Sequence, residues 1–285
     1  MIKGPVSRVF PSGYTPITEI DGPHANMLLD FGVLVLDAGE TWTTSHPDRE
    51  TAVMLLTGEG EFTLEAAAGE AHGSVATPPA AIARRAPLEE APWTAHISAG
   101  ASIHVRATAP CEFIVERAVN PTPFDGRIIA PKEVRAQRFG EGVMQGTSTR
   151  IVRTVFDAAS HAESAMVLGE VINAPGRWSS YPPHTHAHPE IYHYRFFPEH
   201  GFGFSQVGDH IHRVTHGDTV AIPGGVPHPQ VAAPGYAMFY VWMIPHLPGN
   251  RFGPDSRTFD PEHQWVTEPD APIWEPSESS EAMLR

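Results

Sequence analysis

From Met27 onward, short apolar runs alternate with turn-forming residues, a pattern that predicts strands rather than helices. Residues 27–40 (MLLDFGVLVLDAGE), 51–65 (TAVMLLTGEGEFTLE) and 95–119 (AHISAGASIHVRATAPCEFIVERAV) read as strands or strand pairs, with turns expected at TGEGE and SAGAS. A Pro-rich, charged stretch over 120–134 reads as a linker or crossover. Strands then resume at 149–157, 164–173, 190–197, 201–209, 210–223 and 236–245. Only DAASHAES, 157–164, suggests a short helical turn. The economical reading is all-β, with two halves of similar length, each a sandwich or barrel. No clear sequence repeat relates the halves. The predicted division is 1–125, 126–252, and a Pro- and acid-rich tail, 253–285, packed on the surface by Trp265 and Trp274 and loose over its last ten or so residues.

Composition supports this division and narrows the function. The 29 prolines and 25 glycines suit many short strands joined by turns. A formal net charge of −14 argues against nucleic acid or an anionic membrane as partner. The single Cys111 excludes an internal disulfide framework and a multi-Cys zinc site, and reads as a buried small apolar residue. The start, MIKGPVSRVFPSG, lacks the apolar core of a signal peptide, and no apolar run is long enough to span a bilayer. The expectation is a cytoplasmic protein, with a homo-oligomer possible.

The candidate chemistry concentrates in YPPHTHAHPEIYHYRF, residues 181–196. With 17 histidines in the chain, clustering by chance must be weighed. Parity sorts the candidates, because alternate side chains of a strand share a face. His184 and His186 face inward from one strand if Ala187 to Pro189 form a tight connection, and Glu190, Tyr192 and Tyr194 face inward from the next. His193 and Arg195 then point outward, His193 against the first barrel, and His188 lies in a solvent-facing turn. A second segment, HGDTVAIPGGVPH, places His228 at a strand start near the barrel mouth. Three imidazoles and a carboxylate suit one divalent metal, and Zn, Mn, Fe, Ni and Co are not distinguishable by this donor set. Tyr192, Tyr194, Gln206, Tyr240 and Trp242 read either as pocket lining or as barrel-interior packing. Arg195 suits a carboxylate by its planar fork, but its odd parity favours a structural ion pair. His200, His210, His212 and His216 need no function. The first half offers His46 and Glu50 but lacks the paired H-x-H, so that barrel reads as structural and metal-free.

HTHAHPE followed by GDTVAIPGGVPH resembles the two cupin motifs, H-x-H-x3-E and G-x5-P-x-G-x2-H. The departures lie in loops: Gly176 is two residues early, Gly201 is late, and Ala232 replaces a frequent Asn. More specifically, residues 176–207 and 216–236, with FDPEHQWV in the tail, resemble the 5-deoxy-glucuronate isomerases of inositol catabolism. That resemblance implies a bicupin, with two cupin-type double-stranded β-helix barrels and the metal in the C-terminal one, held by His184, His186, Glu190 and His228. It implies conversion of the aldose 5-deoxy-D-glucuronate to the ketose 5-dehydro-2-deoxy-D-gluconate through a cis-enediolate. The metal would polarise the carbonyl, Glu190 or a metal-activated water would move the proton, and Tyr192 or Tyr194 would donate to oxygen. Arg195, Gln206, Tyr240 and Trp242 are the candidate substrate contacts, and the sugar acid is the expected partner. Trp242 and the HTH triplet are closer to the related 4-deoxy-5-ketouronate isomerases of pectin breakdown, the alternative substrate. A metal-dependent dioxygenase and a non-enzymatic sugar-binding bicupin are the readings from other classes.

Overall fold

The computed structural model describes Met1 and residues 10–67 and 76–276. The last residues of the tail, expected to be loose, fall mostly outside that range. Within it the chain folds as two β-barrels in tandem, each made of two antiparallel sheets.

In the first barrel, one sheet runs Gly13–Thr18, Asp30–Leu36, Cys111–Val119, Arg49–Glu65, Thr94–Ile97, Arg127–Ile129. The facing sheet joins Thr41–Ser45, Ser102–Ala107, the far half of Arg49–Glu65 and Ala80–Arg84. The 17-residue strand Arg49–Glu65 therefore belongs to both sheets. TGEGE, expected to turn, instead bends that strand from one sheet into the other. Gly58 makes the bend possible: its φ is +115°, and a Cβ there would sit 2.3 Å from the Pro110 carbonyl oxygen.

In the second barrel, the main sheet runs Arg135–Phe139, Arg150–Phe156, Met166–Asn173, Ala237–Pro245, Glu190–Phe197, Thr219–Ile222. The facing sheet runs Trp178–Ser179, Gln230–Ala232, Phe202–Val207, His210–Thr215. From Gly13–Thr18 and from Arg150–Phe156, the two barrels follow the same strand order. The long strand of the first is split in the second into Glu190–Phe197 and Phe202–Val207. The repeat missing from the sequence is thus present in the topology.

Three other expectations are corrected. The supposed linker contains the strand Arg127–Ile129, which pairs with Thr94–Ile97, so a first-barrel strand lies beyond the expected boundary at residue 125. DAASHAES forms turns, with Asp157 Oδ1 accepting from the backbone N–H groups of Ala159 and Ser160. The tail is more than surface packing: Thr258–Phe259 pairs with His184–Thr185 inside the His-rich segment, and Trp274 is 77% exposed and so does not anchor it.

Parity determines which residues fill each barrel. In Arg49–Glu65 the odd positions Val53 and Leu55 enter the first interior with Leu34, Phe62, Ile103, Val105 and Phe113. The even positions Ala52 and Met54 join a different cluster, with Phe31, Ile114, Phe156, Leu168, Ile191, Phe239 and Met243, which cements barrel to barrel. Polar ties cross the same interface. Glu170 accepts from both Arg84 (2.7 Å) and Arg153 (2.8 Å), all three being buried. Cys111 is buried, and burial pushes its thiol up to about 11, so it is inert at neutral pH.

Candidate functional site

The site is built at one mouth of the second barrel. His184 belongs to the two-residue strand His184–Thr185, His186 lies between that strand and the bend at residues 187–188, and Glu190 opens Glu190–Phe197. The turn after Thr219–Ile222 packs against this segment. The Gly225 N–H donates to the His186 carbonyl (2.7 Å), and a Cβ on Gly224 would lie 2.0 Å from the Ala187 carbonyl oxygen. Only glycine lets the two backbones approach so closely, and that approach delivers His228 to the other two imidazoles. Ligand-capable atoms of His184, His186 and His228 lie within 4.8 Å of one another, all three residues being buried. Glu190 Oε2 lies 3.2 Å from His186 Nε2 and 3.3 Å from His228 Nε2.

The backbone fixes the tautomers. Each Nδ1 faces a carbonyl oxygen: Pro182 for His184 (3.3 Å), His188 for His186 (2.9 Å) and Val226 for His228 (3.0 Å). A carbonyl only accepts, so Nδ1 carries the proton and Nε2 presents a lone pair. Glu190 Oε2 faces Nε2 of both His186 and His228, an approach that is favourable only with a positive charge, a proton or a cation, among the three groups. His228 Nε2, moreover, is buried without a hydrogen bond. Burial, reinforced by the charges of His228 and Arg257, pushes the His184 imidazole down to about 3, so it is neutral at physiological pH. Burial alone would raise the Glu190 pKa, but its contacts with His186 and His228 hold it well below the ordinary carboxylate range. A borderline divalent cation fits this donor set.

A cavity of about 840 Å³ opens above these groups. Tyr192, Tyr240, Trp242, Phe252 and Phe259 wall it, and Arg135, Arg150 and Arg257 bring positive charge to it. The tail and the residue just before it supply part of the wall: Phe259 lies 5.5 Å from the His184 ring and Phe252 5.2 Å from the His186 ring. Tyr240 Oη is 2.6 Å from Ser179 Oγ, and Tyr192 Oη is 3.2 Å from Ser180 Oγ. Burial raises the pKa of both phenols, so each keeps its proton at neutral pH.

A model of the KduI/IolB family matches residues 5–266. The chain belongs to the KduI/IolB family. Among curated KduI/IolB relatives, the 5-deoxy-glucuronate isomerase of Geobacillus kaustophilus (strain HTA426) is 30% identical, the match covering 84% of this chain and 85% of that protein. The 5-deoxy-glucuronate isomerase of Halalkalibacterium halodurans is 22% identical over 94% and 99% of the two chains. In structure, the chain is similar to an IolB-like protein from Salmonella typhimurium LT2, with a TM-score of 0.75 and 23% identity over 90% and 96% of the chains. Oxalate decarboxylase from Lactobacillus farciminis matches with a TM-score of 0.62 at 11% identity, which shows the shared cupin fold. The isomerase class expected from the sequence is the class named for these relatives.

The predicted residues of this KduI/IolB member divide into two sets. His184, His186, Glu190 and His228 converge, and Tyr192, Tyr240 and Trp242 line the cavity. Tyr194, a candidate catalytic group, lies outside the lining: its hydroxyl donates to Gln230 Oε1 (2.6 Å) deeper in the barrel. Gln206 turns away to donate to the Gly208 carbonyl (2.8 Å). Arg195 points into the barrel interface, where it pairs with Glu112 and lies over Phe10, so it is no substrate clamp here. Its neighbour His193 is buried against Phe31 (5.2 Å), on the first-barrel side as parity required. His188 corrects another expectation. It is 1% exposed, not solvent-facing, because Phe252 covers it and its Nε2 donates to the Asn250 carbonyl (2.7 Å). His46 pairs with Asp48, whereas Glu50 accepts from Ser164, Asn120 and the Ala165 N–H at the interface. Sequence reasoning missed Arg150 and Arg257. Arg257 lies in the tail, whose pairing with the ligand strand no local pattern announces.

Proposed function

We propose that this chain is a metal-dependent aldose–ketose isomerase of a deoxy-uronate, converting 5-deoxy-D-glucuronate to 5-dehydro-2-deoxy-D-gluconate. One observation carries the reading: the Nε2 sides of three buried imidazoles meet one carboxylate beside a cavity large enough for a sugar acid. The names of the curated relatives support the substrate.

His184, His186, His228 and Glu190 would hold the metal. Bound there, it would supply Lewis acidity toward the substrate carbonyl and its neighbouring hydroxyl. The isomerisation moves a proton from C2 to C1 and one from O2 to O1, with no external oxidant or reductant. Glu190 directs only Oε2 at the histidines, and Oε1 makes no hydrogen bond among the described residues, so we assign it the C2 proton. As a carboxylate it can take that proton and give it back at C1. Tyr192 and Tyr240, held protonated, donate to sugar oxygens as charge develops on them. Trp242, Phe252 and Phe259 keep water from the intermediate.

The test incubates the metal-loaded protein with 5-deoxy-D-glucuronate and, separately, with the 4-deoxy-5-ketouronate, and follows carbonyl exchange by NMR. Turnover of the first is expected. Preferential turnover of the second moves the chain to the pectin-type reaction, and oxygen consumption without isomerisation would replace the reading with a dioxygenase.

A further inference from the structure

The cavity holds more positive charge than its own residues neutralise. Of its three arginines, Arg135 is paired with Asp157 at 2.6 Å. Arg150 donates through Nη1 alone, to the backbone carbonyl and hydroxyl of Ser148 (3.0 and 3.1 Å), and lies over the Phe139 ring. Arg257 lies over Phe252 and makes no hydrogen bond or ion pair among the described residues. The carboxylates facing the cavity are already committed, Asp157 to Arg135 and Glu190 to the histidines. Two guanidiniums are thus left without counter-ions, in a chain of net charge −14.

The backbone holds this pair in place. Arg150 opens the strand Arg150–Phe156, with Phe139 and Asn173 as its cross-strand neighbours. Arg257 immediately precedes Thr258–Phe259, whose partner is His184–Thr185. The position of Arg257 is therefore tied by main-chain bonds to that of a candidate metal ligand. Its charge is felt at Arg150, where it adds to burial in lowering the pKa. Placing two like charges in one pocket is unfavourable until an anion lies between them.

Resting on the reading of the site as a sugar-acid isomerase, we propose that Arg150 and Arg257 form its carboxylate subsite, with the tail contributing one of the two cations. The planar forks grip the acid end of the substrate while the carbonyl end reaches the histidines. The tail is then part of the specificity machinery rather than an appendage.

Binding to the full-length, metal-loaded protein separates this proposal from the turnover reading. D-glucuronate and D-glucose, the same ring with and without the carboxylate, are the probes, measured by titration calorimetry. The wild type is expected to prefer D-glucuronate by about tenfold or more. Arg150→Gln and Arg257→Gln should each weaken D-glucuronate by about tenfold, leave D-glucose binding alone and leave metal content unchanged. Arg257 is exposed, so Arg257→Gln provides a variant whose folding is not in question. Selectivity that depends on both arginines upholds the subsite even if 5-deoxy-D-glucuronate is not turned over. Unchanged D-glucuronate affinity in both variants, or no preference for it in the wild type, overturns the subsite even if isomerisation is confirmed.

Discussion

The two barrels share a strand order but differ in what fills them. The first interior is packed with aliphatic and aromatic side chains, Val53, Leu55, Phe62, Ile103, Val105 and Phe113 among them. The second carries Tyr192, Tyr194, Tyr240 and Trp242 at its inward positions and keeps a cavity of about 840 Å³ lined in part by His184 and His186. The matching strands make the contrast concrete. In the first half of Arg49–Glu65, up to Leu55, the odd residues face inward and Glu50 faces the other barrel. In Glu190–Phe197 the even residues face inward, and Glu190 meets the histidines. One topology thus gives a packed support and a hollow site, according to which parity carries the polar groups.

That division of labour can be challenged by mutation. The largest stability effect is expected between the barrels. Glu170→Gln leaves the buried Arg84 and Arg153 without their shared carboxylate and should cost about 3–5 kcal/mol in denaturant unfolding. A smaller loss shows that the apolar interface alone holds the halves together. Next, Leu55→Ala in the packed interior should cost about 2–5 kcal/mol while leaving activity per folded molecule intact. Tyr240→Phe reverses the pattern in the hollow barrel. Losing the hydroxyl bond to Ser179 should cost only about 1 kcal/mol of stability, yet lower kcat on the order of tenfold or more. Equal catalytic effects of the two changes would erase the distinction.

Protonation gives a subtler prediction. Burial pushes both His161 and His246 down to about 4. Below the ordinary histidine value of about 6.5, the unfolded chain takes up protons that these folded imidazoles refuse. Stability should therefore fall as the pH drops from about 6.5 toward 4, and the slope should shrink in His161→Gln, where one of the refused protons is gone. Thermal unfolding across that range is the check.

How much of this was legible in the sequence depended on how local each signal was. The four candidate ligands could be read because parity and a glycine-bearing turn are local and periodic. Parity also predicted that His193 faces the first barrel. It failed at His188, whose cover comes from Asn250 and Phe252, more than sixty residues on, just before the tail. Arg195 follows the interface side that its odd position indicated, not the carboxylate its chemistry suggested. Tyr194 has the right parity but lies too deep, a distance that alternation does not encode. The structural repeat was hidden because matching strands carry different residues and one long strand of the first barrel is two in the second. Arg150 and Arg257 reach the cavity from separate segments, and only the pairing of Thr258–Phe259 with His184–Thr185 brings the tail there.

The central claim is that the second barrel holds one metal ion and the first holds none. Elemental analysis of metal bound per chain tests it, comparing the wild type, the His184→Ala/His228→Ala double variant and His46→Ala. One ion per chain is expected in the wild type and in His46→Ala, and almost none in the double variant. A full equivalent of metal retained without His184 and His228 would contradict the account.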